Sequence, residues 1–204
     1  RLQTFRRAKD TNPGMLIGVL GCMAERLKSK FLEEEKLVDI VVGPDAYRTL
    51  PQLITEAGTG QKGVNVLLSR DETYSDISPV RLNSNGITAF VSIMRGCNNM
   101  CSFCVVPFTR GPERSRTSSS VLEEATQLAR DGYTEIQLLG QNVNSYRDPS
   151  AAGWDFATLL DRVGRTPGIR RVRFTTSHPR DFVKEIIDAI DENPALCNHV
   201  HLPV

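Results

Sequence analysis

The stretch FVSIMRGCNNMCSFCVVPFTRGPERSR, residues 90–116, puts Cys97, Cys101 and Cys104 within eight residues, although the 204-residue chain has only five cysteines. The apolar run 89–94 that leads into it reads as a strand. The thiols therefore follow a strand end, on a loop bracketed by Gly96 and Gly111, where glycine lets the backbone approach a ligand closely. Three cysteines this close cannot pair sensibly among themselves. An odd total, in a chain too long to depend on disulfide staples, points to a reducing compartment and to metal ligation. A structural zinc site wants four protein ligands, and the other candidates, Cys22, Cys197, His178, His199 and His201, are all distant in sequence. Three thiolates on one short loop suit a cubane iron–sulfur cluster with one iron left open to a substrate or cofactor. Zinc completed by a distant residue stands as the alternative.

The pattern on either side of the loop is α/β. Downstream, Ser120-Val121-Leu122-Glu123 matches a capping box and opens a helix with Val121, Leu122, Ala125, Leu128 and Ala129 on one stripe, ending at Gly132. Strand 135–139, helix 156–163, strand 172–175, helix 182–190 and a last strand 199–202 follow. This strict alternation predicts part of a (β/α) barrel. Upstream, a basic helix 2–9, strand 15–20, helix 23–36, strand 38–42, helix 45–57 and strand 64–68 predict a separate α/β unit with parallel strands. The polar, aperiodic stretch between them reads as a linker, so the expected division is 1–68, linker 69–87, and 88–204. The chain closes on a strand with no covering helix, and an open parallel edge of that kind leads one to expect further chain beyond it.

Composition narrows the function classes. A formal charge of +1 and 40% apolar residues describe a globular chain without a whole-molecule field for nucleic acid or membrane, so any basic footprint has to be local. No run of about 18 apolar residues exists to predict a membrane span, and the N-terminal RLQTFRRAKD lacks the order of a secretory signal.

Cys97-x3-Cys101-x2-Cys104 after the first strand of a (β/α) unit, with the aromatic Phe103 before the last cysteine, resembles the radical S-adenosylmethionine superfamily. The resemblance implies a 4Fe-4S cluster on these three cysteines, whose open iron chelates S-adenosylmethionine and whose electron splits it to a 5′-deoxyadenosyl radical. The loop together with LLGQNVNSY, residues 138–146, and the terminal HLPV is similar to the methylthiotransferase branch, of the type that adds a methylthio group to C2 of N6-isopentenyladenosine beside the anticodon of tRNA. The string Gln141-Asn142-Val143-Asn144-Ser145-Tyr146 is what favours that type over sister enzymes acting on threonylcarbamoyladenosine or on a ribosomal protein. GVLGCMAER, residues 18–26, resembles the third-cysteine motif of the family's N-terminal domain, which implies that Cys22 is one ligand of an auxiliary 4Fe-4S cluster. The other two ligands have no counterpart in this chain. The fold implied is a partial N-terminal α/β methylthiotransferase domain followed by part of a radical SAM (β/α) barrel. The implied partners are a tRNA anticodon stem-loop carrying N6-isopentenyladenosine and a low-potential electron donor such as flavodoxin or ferredoxin. A monomer without membrane contact is expected, in the bacterial cytoplasm or, alternatively, in mitochondria. The rival from another class is a noncatalytic, metal-stabilised RNA-binding module.

Each further candidate has an ordinary counterpart. Gly140, Gln141 and Asn142 sit at the C-terminal end of a strand, where barrel enzymes keep their sites, and by resemblance bind the methionine and ribose parts of the cofactor; the ordinary counterpart is a polar loop after a strand, and position in the βα unit favours the functional reading. Phe103 and Ser177 are expected at the cofactor by the same likeness, while Thr176 and His178 flank Ser177 on the same face. Arg110, Arg114 and Arg116 carry forks suited to carboxylate or phosphate, or are a solvated charged face. Arg171 and Arg173 are a possible phosphate stripe, though charges near strand ends are more often solvated. Cys197 and His201 are expected in the core, and Trp154 beneath the long loop.

Overall fold

The computed structural model describes residues 2–28, 30–77, 79–81 and 85–202. By contact the chain divides into two units, Arg1–Glu72 with Asn98–Pro112, and Thr73–Cys97 with Glu113–Val204. Residues 78 and 82–84 of the expected linker, and 203 and 204 of the terminal HLPV, lie outside the described residues. Both units are α/β with parallel sheets.

In the first unit a 3-10 turn (Leu2–Phe5) and α1 (Arg6–Thr11) precede β1 (Gly18–Leu20), α2 (Cys22–Leu27), α3 (Lys30–Glu34), β2 (Ile40–Val42), α4 (Leu50–Gly58) and β3 (Gly63–Asn65), with α5 (Val106–Arg110) joining from the cysteine loop. The sheet runs β1-β2-β3, parallel throughout, pairing Gly18 with Ile40 and Ile40 with Gly63. Alternation along β2 sends Ile40 and Val42 to a cluster with Leu53 and Ala57, and Val41 to another with Ala24 and Val38. Both faces are thus covered, as a parallel strand requires.

Two expectations for this unit are corrected. Strand β1 starts at Gly18 instead of residue 15, because the amide of Ile17 donates to the Asp39 carboxylate at 2.8 Å in place of a ladder bond. The single helix expected over 23–36 is two helices. Lys28, at φ 50°, closes α2 with its amide on the Ala24 carbonyl at 2.8 Å. Apolar period alone carries no signal for that left-handed residue.

The second unit is built on β4 (Thr88–Ser92), β7 (Glu135–Leu139) and β8 (Arg171–Phe174), in the order β4-β7-β8. Spatial order that follows chain order is the arrangement of a barrel wall. A two-stranded ribbon of β5 (Met94–Arg95) and β6 (Arg114–Ser115) pairs Met94 with Ser115 and closes the base of the cysteine loop. The strand expected over 89–94 thereby ends at Ser92, and the chain leaves the sheet to form the ribbon. Ala89, Val91, Ile136, Leu138, Val172 and Phe174 form a buried core with residues of α6 (Ser118–Arg130), α7 (Phe156–Gly164) and α8 (Lys184–Glu192).

Helix α6 begins earlier than the capping box at Ser120 predicts. Thr117 is the N-cap and its hydroxyl accepts from the Ser120 amide, so Ser120 is already inside the first turn. The last strand expected over 199–202 is absent among the described residues. One parallel bridge, Val172 to Leu196, takes the edge of β8, and the His199 amide then bonds the Cys197 carbonyl at 2.7 Å, turning the chain away from the sheet.

A buried carboxylate ties α6 to the loop after β7. Asp148 is 6% exposed and accepts from the Ser118 hydroxyl and, at 2.8 Å, from the Ser150 amide. Burial pushes its pKa upward, but these bonds outweigh burial and hold it below the usual 3.8. A carboxyl depressed on folding adds stability that is complete well above 3.8 and is lost as the pH falls through the depressed folded value. Asp148→Asn is therefore expected to cost about 1–3 kcal/mol at neutral pH. Thermal unfolding across a pH series should show the gap between variant and wild type narrowing below 3.8, whereas a constant gap would refute the assignment.

Candidate cofactor site

Three strand ends of the second unit meet through backbone and amide contacts. After β5, Gly96 takes φ 75° and its amide donates to Oε1 of Gln141 at 2.6 Å, immediately before Cys97. Gly140 follows β7, and a Cβ there would lie 2.7 Å from Cγ of buried Met94, so only glycine lets the two strand ends close together. After β8, Thr176 adopts φ 62°, a conformation costly for a β-branched residue, and its hydroxyl donates to the Gly140 carbonyl at 2.5 Å. The Val143 amide bonds the Thr176 carbonyl at 3.0 Å. Asn144 holds His178 from both sides, its Nδ2 donating to the His178 carbonyl and its Oδ1 accepting from the His178 amide, each at 2.9 Å. Tyr146 is buried and donates to the Arg116 carbonyl at 2.8 Å. Much of the string 141–146 thus serves to lock neighbouring loops to one another.

Cys97 is buried, whereas Cys101 and Cys104 are half-buried and share a turn in which the Cys104 amide bonds the Cys101 carbonyl at 2.9 Å. None of the five cysteines is joined in a disulfide. Phe103 stands 90% exposed, and Met100 and Phe108 are also exposed. Among the described residues no group of three or more His, Cys, Asp or Glu side chains is gathered as a metal site. In the first unit Cys22 opens α2 after Gly21 at φ 102°, and Nε of Arg110 donates to its sulfur at 3.1 Å.

Several sequence expectations change. Arg116 is 7% exposed and spends its fork on the Glu124 carboxylate at 2.6 Å, the Ser92 carbonyl at 2.9 Å and Ser120, so it is neither a solvated charge nor open to a ligand's carboxylate or phosphate. Arg171 and Arg173, by contrast, keep the solvated character expected of charges near strand ends, with side chains 53% and 40% exposed, and both face Glu135, at 2.6 and 3.6 Å, the Arg171 bond holding the Glu135 carboxyl below its usual range. His201 is exposed, not in the core, with Nδ1 3.4 Å from the Thr176 amide. Sequence reasoning missed Asp181, whose Oδ2 accepts from Nδ2 of Asn142 at 2.7 Å across 39 residues. It also missed the Arg110–Cys22 contact. Neither has a local signal, because both partners become neighbours only through tertiary packing.

The residues fit a polar ligand at the strand ends. Asn142 and Ser177 are 2% and 4% exposed, yet Oδ1 of Asn142 and Oγ of Ser177 have no hydrogen-bond partner among the described residues. Buried polar atoms are normally paired, and an unpaired one is costly. Three thiols on the loop are the right donor chemistry for iron–sulfur ligation. Cys22 alone is too few thiols to hold a second cluster.

Among known proteins, the tRNA-2-methylthio-N(6)-dimethylallyladenosine synthase of Christiangramia forsetii is 55% identical, over all of this chain and 46% of the relative. The mitochondrial tRNA methylthiotransferase CDK5RAP1 of Mus musculus is 49% identical, again over all of this chain and 39% of the relative. The chain spans about half the length of such relatives. The radical S-adenosylmethionine methyltransferase TsrM of Kitasatospora setae superposes with a TM-score of 0.62 at 18% identity, covering 98% of this chain and 43% of that one, which speaks to fold alone. The Radical SAM superfamily matches residues 91–204, from the strand ahead of the three cysteines through all of the strand ends just described. That span is more than half of the sequence, and the chain belongs to the Radical SAM superfamily.

Proposed function

We propose that the protein at its natural length is a methylthiotransferase that adds a methylthio group to C2 of N6-isopentenyladenosine next to the anticodon of tRNA. The observation that carries this reading is the 55% identity, over the whole chain, to a synthase named for that nucleoside. The same relatives favour an enzyme over a noncatalytic RNA-binding module. Residues 1–68 form part of the N-terminal domain, 69–87 the linker, and 88–204 the first part of the barrel. Cys97, Cys101 and Cys104 hold the radical SAM 4Fe-4S cluster, with Phe103, Gly140, Gln141, Asn142 and Ser177 around S-adenosylmethionine. Cys22 supplies one ligand of a second cluster in the longer protein. The electron comes from a donor such as flavodoxin or ferredoxin, and the protein acts as a monomer, in the bacterial cytoplasm or, alternatively, in mitochondria. No helix among the described residues is long and apolar enough to cross a membrane.

With its cluster bound, the site supplies the one-electron cleavage of S-adenosylmethionine to a 5′-deoxyadenosyl radical that takes hydrogen from an unreactive C–H bond. The chain's own contribution is placement. Gly140 and Gly96 let the strand ends close, Gln141 fixes the backbone ahead of Cys97, and Asn142 and Ser177 hold polar atoms ready for the ligand. Closing such a site keeps water from a reactive intermediate.

The test is nucleoside analysis. The protein at its natural length, reconstituted anaerobically and reduced, is incubated with S-adenosylmethionine and tRNA either carrying or lacking the isopentenyl group. Methylthiolated nucleoside is expected only from the isopentenylated tRNA. Product from a threonylcarbamoylated tRNA instead would move the protein to a sister branch.

A further inference from the structure

Asparagine and glutamine amides are ordinarily ambivalent, able to turn either end toward a ligand. Here two consecutive ones are each fixed, in opposite senses. Gln141 spends Oε1 on the Gly96 amide at 2.6 Å, so what it has left to offer is its NH2. Asn142 points its NH2 at the Asp181 carboxylate at 2.7 Å. An ionised carboxylate only accepts, so the amide of Asn142 cannot turn over without placing oxygen against oxygen. Its Oδ1, buried and without a partner among the described residues, is left as an acceptor.

Asp181 is itself held in place. It ends the 3-10 turn Pro179–Asp181, whose first amide contacts run back to His178: the Arg180 amide donates to His178 Nδ1 at 3.2 Å and the Asp181 amide to the His178 carbonyl at 3.1 Å. His178 is clamped in turn by both ends of the Asn144 amide. The Arg180 guanidinium lies 3.3 Å from the other carboxylate oxygen.

We propose that Asp181 is a positioning residue that sets the amide of Asn142 as an acceptor for a donor group of the bound adenosyl ligand, its ammonium or a ribose hydroxyl, while Gln141 presents donors to an acceptor such as its carboxylate. This rests on the reading that S-adenosylmethionine binds at these strand ends. In this structure Oδ1 of Asn142 is enclosed, so a small side-chain movement admits the ligand, which then supplies the donor the buried oxygen lacks.

The experiment measures S-adenosylmethionine affinity by equilibrium dialysis on the anaerobically reconstituted protein, with the thermal midpoint of each variant alongside. Asp181→Asn frees the amide to turn and is expected to weaken binding roughly tenfold with little change in midpoint. Asn142→Asp alone opposes two carboxylates and should weaken it at least as much. The double variant Asn142→Asp, Asp181→Asn restores an acceptor: one oxygen of the new carboxylate takes the amide hydrogen from position 181 and the other faces the ligand. Binding should recover most of the loss, which a purely packing role for Asp181 would not produce. Wild-type affinity in Asp181→Asn, or a double variant no better than either single one, overturns the proposal. Wild-type affinity in both Asn142→Ala and Ser177→Ala would overturn the underlying reading of the site itself.

Discussion

Release of 5′-deoxyadenosine is expected to fall to background when Cys97, Cys101 or Cys104 is replaced by alanine in the reconstituted, reduced protein. The three thiols are the whole ligand set that the loop provides, and one missing thiolate leaves an iron without a protein bond. The other two cysteines, Cys22 and Cys197, lie outside the loop. Cys22 is engaged by Arg110 at 3.1 Å, and the Cys197 amide is bonded to the carbonyl of Val172 on β8, 3.1 Å away. Cys197→Ala is therefore the control, expected to keep both iron and turnover. Iron content should drop in the three loop variants in parallel with deoxyadenosine. Retained cleavage in Cys101→Ala would exclude the loop as the radical site. Zinc in place of iron, with no cleavage by the wild type, would restore the structural alternative that the sequence leaves open.

The loop was legible because its signal is local: three cysteines at fixed spacing, glycines on either side, an apolar run ahead of them. The βα rhythm was legible for the same reason, since Val91, Ile136, Leu138 and Val172 are buried by alternation and α7 by its apolar stripe. What the sequence could not carry is the use to which polar side chains are put. Arg116 reads as a free fork and is consumed inside the unit by Glu124 and Ser120. Gln141 and Asn142 read as one polar turn, yet their opposite settings depend on Gly96 and Asp181, 45 and 39 residues away. The missing strand over 199–202 has a similar cause. Its apolar residues fit a strand, but the edge of β8 is decided by where Leu196 buries beside Gly164, and a Cβ on Gly164 would come within 2.9 Å of that side chain. Where a decision rests on distant packing, local pattern is a poor guide.

Phe156→Ala is expected to be the most destabilising single truncation among the residues that support the strand ends. Phe156 is 1% exposed and meets Phe174 edge to face, with centroids 5.2 Å apart and planes at 79°. It is the first residue of α7, and the Asp155 N-cap, accepting from the Thr158 amide at 2.9 Å, fixes the start of that helix so that the backbone cannot follow a shrinking side chain. The same ring lines a half-open pocket of about 220 Å³ shared with Tyr146, Asp155 and Ile186, so the space it leaves adjoins room already present. Loss of transfer energy and cavity formation together cost about 3–5 kcal/mol, and the edge-to-face pair adds about 0.5–1.5 kcal/mol to what is lost. In a chain of this length that is a fall of roughly 10 °C in the thermal midpoint, readable by calorimetry. Phe156→Leu, which keeps most of the volume, should cost less than half as much. Because Phe174 is the last residue of β8 and leads directly into Thr175, Thr176 and Ser177, the loosening is expected to reach the cofactor loop, with faster hydrogen exchange at the Ser177 and His178 amides. A midpoint shift of only a degree or two, or unchanged exchange at those amides, would show that the strand end is held by the Asn144 clamp alone.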